Sequence, residues 1–250
     1  MSQLRRLIAP RGGWSERTGQ RQGALAEAVW ASADVTVAVA AVAVAAPRAW
    51  LTLMVGFTFL AATWVLVWRR DDAIVCRSGL ALGGLVMPGP IDLRSLARAA
   101  ARAFGWAFGL WAVVAVPFLV GFRLWWTPRF SFSLHVGASE AVDEILGQLL
   151  VIALPEEAFY RGFLQSRLDD VWAPRWCLLG ARFGPGLLTS AAIFAVGHVV
   201  TMPVITRLAV FFPALLFGWL RARTGGIGAS VVFHALCNLY VLSLMRGFGL

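Results

Sequence analysis

The sequence has no lysine: all 22 basic residues are arginine. We read that as the mark of a GC-rich, bacterial genome, and it assigns no mechanism. Charge of either sign is scarce, at 14% of 250 residues against 59% hydrophobic. A soluble domain carries about 25% charged residues, so that class is excluded. Cysteine is nearly absent. Cys76, Cys177 and Cys237 lie in or beside hydrophobic segments and form no CxxC, which removes a disulfide framework or a zinc knuckle. No HExxH occurs. Asp34 is the one aspartate within an apolar run, so a two-aspartate intramembrane mechanism lacks its parts. No internal repeat is present. Residues 1–23 have neither the apolar core nor the small-residue cleavage site of a signal peptide. They are read as an Arg-rich cytoplasmic tail.

What remains is apolar sequence in long runs, with a mean hydropathy of +0.74. Spans of roughly 20 residues each predict an all-α polytopic membrane protein with about seven transmembrane helices, six to eight in range. The expected spans are Ala26–Ala46, Trp50–Trp68, Phe104–Phe122, Ile145–Phe163, Leu178–Val200, Val204–Leu220 and Ile227–Leu244. Leu93–Phe104 carries Arg94, Arg98 and Arg102 at spacing four and reads as an interfacial amphipathic helix. Arg123–Glu144 reads as a loop, with His135 incidental. The net charge of +9 raises nucleic acid as a partner. The arginines cluster in loops between apolar runs, however, as the positive-inside rule expects. The partners expected are the lipid bilayer and a membrane-associated protein or peptide, with no nucleic acid. The same asymmetry places the N-terminus in the cytoplasm and the protein in a bacterial inner membrane. The chain divides into the tail, a motif-free membrane region at 24–139 and a core at 140–245.

Ionisable groups at membrane depth are expensive and mark function. Glu156 and Glu157 stand together late in the fourth apolar run. On a helix they point about 100° apart. Glu157 and Arg161 are at i,i+4, the spacing of a helical ion pair, which leaves Glu156 the freer base. Phe194 and His198 are one turn apart in the fifth span. His234 and Asn238 share a face of the seventh. Glu156 with His198 has the parts to hold and deprotonate a water, and His234 with Asn238 to donate to an oxyanion. Glu156, His198 and His234 also form a ligand set of the catalytic-zinc kind, so no cofactor is required and zinc stays open. Ser230 with His234 at i+4 faintly suggests a Ser–His pair; a small residue in a span more often marks close helix packing. One tension is visible. Glu156 falls toward the inner end of its run and His198 toward the outer end of the next. The fifth helix must therefore start deep, tilt or break near Gly186.

Glu156-Glu157-x-x-x-Arg161, Phe194-x-x-x-His198 and His234-x-x-x-Asn238, in that order, make roughly residues 140–245 resemble one family. It is the CAAX-prenyl-endopeptidase and bacteriocin-processing family of glutamate-type intramembrane proteases, formerly classed as metalloproteases. The resemblance implies a helical-bundle active site. Glu156 would be the general base and His198 its water-holding partner. His234 and Asn238 would form the oxyanion site, with Glu157, Arg161 and Phe194 in support and no metal. It further implies hydrolysis of a peptide bond in a membrane-associated protein, with C-terminal membrane tails of exported proteins as one substrate class. The competing reading is a polytopic transport or immunity protein that uses the same polar residues for a metal ion or proton.

Overall fold

The structure, a computed structural model, describes residues 14–250. Residues 1–13 of the expected tail lie outside the described residues. Its remainder is already helical, because helix α1 runs Trp14–Ala45. Helix α2 spans Leu51–Trp68, its last turn widened to π geometry. A short helix, α3 (Asp72–Arg77), follows with Asp71 capping its N-terminus: the carboxylate accepts from the Ala73 amide at 2.9 Å. Helix α4 is Leu93–Trp126, with Asp92 as its cap. The interfacial helix and third span expected from the sequence are therefore one element. The arginines at spacing four continue straight into the apolar run, and nothing between them breaks the backbone.

Helix α5 covers 138–171 without interruption. It alternates α and π geometry, with π segments at Gly147–Ala153 and Ala158–Leu164. It starts earlier and ends later than the expected Ile145–Phe163. A two-stranded antiparallel hairpin follows, β1 (Trp176–Leu178) and β2 (Ala181–Phe183). Helix α6 is Pro185–Thr201. Helix α7 is Ile205–Thr224, opening with a 3₁₀ stretch over Ile205–Val210. Helix α8 is Gly228–Gly247. The fifth span thus begins at Pro185 rather than Leu178, because the chain ahead of it pairs as a hairpin.

Five of these helices (α1, α2, α4, α7 and α8) are long and apolar enough to cross a membrane. The shorter apolar α6 and the mixed α/π helix α5 complete seven. The protein is an all-α, multi-pass membrane protein. Large side chains such as Val37, Phe57, Val113 and Leu124 face outward, as a lipid solvent allows. The interior holds Phe159, Phe163, Phe194, Phe217 and Phe233 together with the polar Glu157, Arg161, Gln165 and His234.

Close backbone approach fixes how α2 meets α5. Pro155 has no N–H, so it cannot donate to the carbonyl one turn before it. Gly56 of α2 sits against the Val151 carbonyl oxygen, and a Cβ there would collide with it. Gly56→Ala forces the two helices apart and is expected to cost about 1–3 kcal/mol, the usual range for overpacking. A lowered thermal midpoint in detergent checks this, and an unchanged one would remove Gly56 from the account.

The inner edge is pinned by charge. Glu27 of α1 pairs with Arg70 and Arg167, and Arg167 pairs with Asp170 at 2.9 Å. Glu27 therefore belongs to this edge rather than to the apolar part of α1. Nearby, Asp169 is packed against Gly186 so closely that a Cβ on the glycine would strike its carboxylate. Burial, opposed by Arg221 and reinforced by Asp170, pushes the Asp169 carboxyl up to about 7. A carboxyl raised in the folded state binds its proton more tightly there than in the unfolded chain. Its contribution to stability is therefore full at low pH and is lost as pH rises through about 7. Asp169→Asn is expected to flatten the fall of the thermal midpoint between about pH 4 and 7. An equal slope in wild type and variant would refute the assignment.

Candidate active site

The helices bring the expected site residues to one level. Glu156 lies 13 residues before Asp169, and His198 lies 12 residues after Gly186. At about 1.5 Å per residue both stand close to 20 Å from the Asp169–Gly186 contact. The depth conflict arose from two misplaced helix ends. Glu156 is in the middle of α5, and α6 starts seven residues later than its sequence suggests. The two carboxylates occupy a single α-helical turn, Leu154–Glu157, held between the two π segments. Short π segments inside α-helices are frequent at functional sites.

Glu157 is fully buried at 0% exposure and Arg161 at 1%. Their ion pair measures 3.1 Å. The same Glu157 oxygen lies 3.0 Å from His234 Nδ1. Arg161 also donates to the Ala214 carbonyl at 3.1 Å. Its guanidinium stands 4.6 Å from the Phe194 ring centre and 5.0 Å from that of Phe217. His234 stacks on Phe217 with ring centres 4.6 Å apart. Phe194 thus supports the cation and the histidines from one aromatic position.

Glu156 faces the other way. It lines a cavity of about 70 Å3 with His198, Tyr160, Gly197 and Thr201, closed by Thr36 and Val39 of α1 and Val55 and Phe59 of α2. Glu156 Oε2 is 3.9 Å from His234 Nε2. No hydrogen bond reaches that buried oxygen among the described residues. His198 Nδ1 lies 3.0 Å from the Phe194 carbonyl, to which it must donate. Its Nε2 is then an acceptor when the ring is neutral.

The seventh span is split in its aim. His234 turns to the glutamates, whereas Asn238 donates from Nδ2 to Gln148 Oε1 at 2.9 Å. Gln148 was not foreseen; nothing in its sequence surroundings distinguishes it from a surface glutamine. Nor were Tyr160, Gly197 and Thr201, or the four residues from α1 and α2. Gly197 is required by contact, since a Cβ there would come within 3.0 Å of the Tyr160 hydroxyl. Ser230 donates to the Phe217 carbonyl at 2.8 Å, a packing bond between α8 and α7 rather than a Ser–His pair. His135 lies in the 127–137 segment beside Ser133. Among the described residues no three His, Cys, Asp or Glu side chains come together as a metal site.

A larger apolar groove, about 450 Å3, lies where α1 and α2 meet α5, bordered by Val42, Trp50, Met54 and Leu150. It contains no titratable group and is not the chemical centre.

The fold is that of a multi-pass membrane protein with a buried carboxylate–imidazole cluster between its helices. Residues 138–240 match the family described as type II CAAX prenyl endopeptidase Rce1-like. The match spans all three motifs and agrees with the resemblance read from the sequence. No curated protein and no solved structure matches the chain.

Proposed function

We propose that the protein is a glutamate-type intramembrane endopeptidase of a bacterial inner membrane, with its N-terminus in the cytoplasm. It hydrolyses a membrane-associated protein or peptide, with C-terminal membrane tails of exported proteins as the substrate class. The observation that carries this is the shared cavity of Glu156 and His198. Both groups present acceptors to it. A water donating one hydrogen to each keeps its lone pair free for a carbonyl carbon. The site is polar and roomy enough for ordered water, which needs about 10–15 Å3 of such space per molecule.

Glu156 takes the proton as the water oxygen bonds to the carbonyl carbon. The oxyanion that results needs donors. His234, anchored at Nδ1 by the Glu157 carboxylate, turns Nε2 toward the site and donates when that nitrogen carries a proton. Asn238 has a second amide hydrogen beyond the one given to Gln148 and adds a neutral donor. Collapse of the intermediate breaks the C–N bond, and Glu156 returns the proton to the leaving amine. Glu157 and Arg161 touch no reacting atom; they hold His234 in place. The transport or immunity reading uses the same residues without hydrolysis. Membrane proteomes of cells carrying wild type or Glu156→Ala decide between the two. A set of proteins that keep a hydrophobic tail only in the variant supports the protease. Identical proteomes, with both proteins inserted, favour the non-hydrolytic reading.

A further inference from the structure

We infer that the chamber holding Glu156 and His198 is entered from the outer half of the bilayer. The bond it cleaves then belongs to a chain that reaches it from the exported side, not to a cytoplasmic terminus. This rests on the protease reading above and deepens it.

The charge distribution sets the two sides. Arg70, Arg77, Arg167, Arg175 and Arg182 stand at the end of the molecule where α5 finishes. The opposite end has fewer arginines, Arg48, Arg123, Arg129, Arg207 and Arg246, and carries Glu140, Asp143 and Glu144, with Arg246 paired to Glu140 and Glu144. The arginine-rich end is cytoplasmic by the positive-inside rule.

Exposure around the chamber then follows depth on three of its four helices. On α2, Val55 toward the outer end is half-buried, whereas Phe59 one turn inward is 5% exposed. On α5, Glu156 is half-buried and Tyr160, one turn inward, is buried. On α6, which runs outward, Gly197 is buried and Thr201, the last residue of the helix, is half-buried. Only α1 reverses the order. The inner side is stopped by aromatic rings: Phe59 lies 5.6 Å from Tyr160 and 5.7 Å from Phe159, and Phe159 lies 5.6 Å from Phe163.

The backbone agrees. Helix α6 ends three residues after His198, and 202–204 is neither helical nor buried. Irregular backbone at membrane depth occurs where it is buried in protein or lines a water-filled space. Met202 is 48% and Val204 51% exposed, so burial in protein is not the explanation here. The turn after α6 is the outer lip of the chamber.

The test is a labelling experiment that does not depend on activity. In the full-length protein with Cys76, Cys177 and Cys237 replaced by Ser, Thr201→Cys or Thr36→Cys is exposed to a membrane-impermeant maleimide. Right-side-out spheroplasts and inside-out vesicles are compared. Ser131→Cys, in the exposed 127–137 segment, marks the outer side. Native Cys177, kept alone, marks the inner side. Thr201→Cys is expected to label several-fold faster in spheroplasts, with the sidedness of Ser131→Cys; Thr36→Cys on the facing wall should follow it. Labelling with the sidedness of Cys177, or from neither side, overturns the inference. Ser131→Cys labelling from the inside overturns it as well. If Glu156→Ala leaves the proteome unchanged while Thr201→Cys labels from outside, the protease reading has failed and the access route stands.

Discussion

Glu156→Gln is expected to lower peptide hydrolysis by about 10²–10⁴-fold, the contribution usual for a general base, while the protein stays folded. Glutamine keeps the size of the side chain and removes only the proton acceptor. Among the described residues Glu156 has no arginine partner and no hydrogen bond that the substitution would break. Its neighbours are His234 at 3.9 Å and the cavity shared with His198. Two measurements on purified protein separate the roles. Turnover of a tail peptide should collapse, and the thermal midpoint should not move. Retained turnover would end the assignment of Glu156 as base. A collapsed midpoint would mean that the side chain is structural.

The next residue in the chain predicts the reverse pattern. Glu157→Ala leaves Arg161 almost wholly buried without its partner, and leaves His234 Nδ1 without its acceptor. Breaking a buried pair from one side costs about 3–5 kcal/mol. That is a large part of the roughly 5–15 kcal/mol that holds a typical protein folded. We expect a sharp fall in the thermal midpoint together with loss of activity. Replacing both partners with apolar residues of similar volume should recover part of the stability, because no charge is then stranded. Activity should not return, because His234 still lacks its anchor. An unchanged midpoint in Glu157→Ala would show that the pair is not the support described.

The contrast between adjacent glutamates was half visible in the sequence. The i,i+4 spacing from Glu157 to Arg161 was legible and left Glu156 as the carboxylate without an arginine partner. The second partner of Glu157, His234, lies 77 positions away, and no local pattern announces it. The number and order of the spans followed from apolar runs alone. Their ends did not. The fourth span was expected to end at Phe163, although the helix continues through the polar 165–171, where Arg167 and Asp170 join the inner-edge ion pairs. The hairpin at Trp176–Phe183 read as the start of a span because its residues are apolar. Those two errors produced the apparent depth conflict between Glu156 and His198. The π segments were invisible because nothing in their composition marks an extra residue per turn. What the motif-free N-terminal half adds was equally hidden. Thr36, Val39, Val55 and Phe59 complete the wall of the Glu156–His198 cavity, and side chains of that kind fill every span of this chain.

The shortness of α6 carries a consequence for the membrane itself. Its 17 residues rise about 25 Å, against a hydrocarbon layer about 30 Å thick. Lipid beside this helix must compress, or headgroups and water must descend to meet its end. Either response brings a polar boundary toward His198, which sits three residues from that end. Bilayer thickness then sets how wet the surroundings of His198 are. A membrane of longer or straighter acyl chains would dry the site, and a thinner one would hydrate it, with no change in the protein's own contacts.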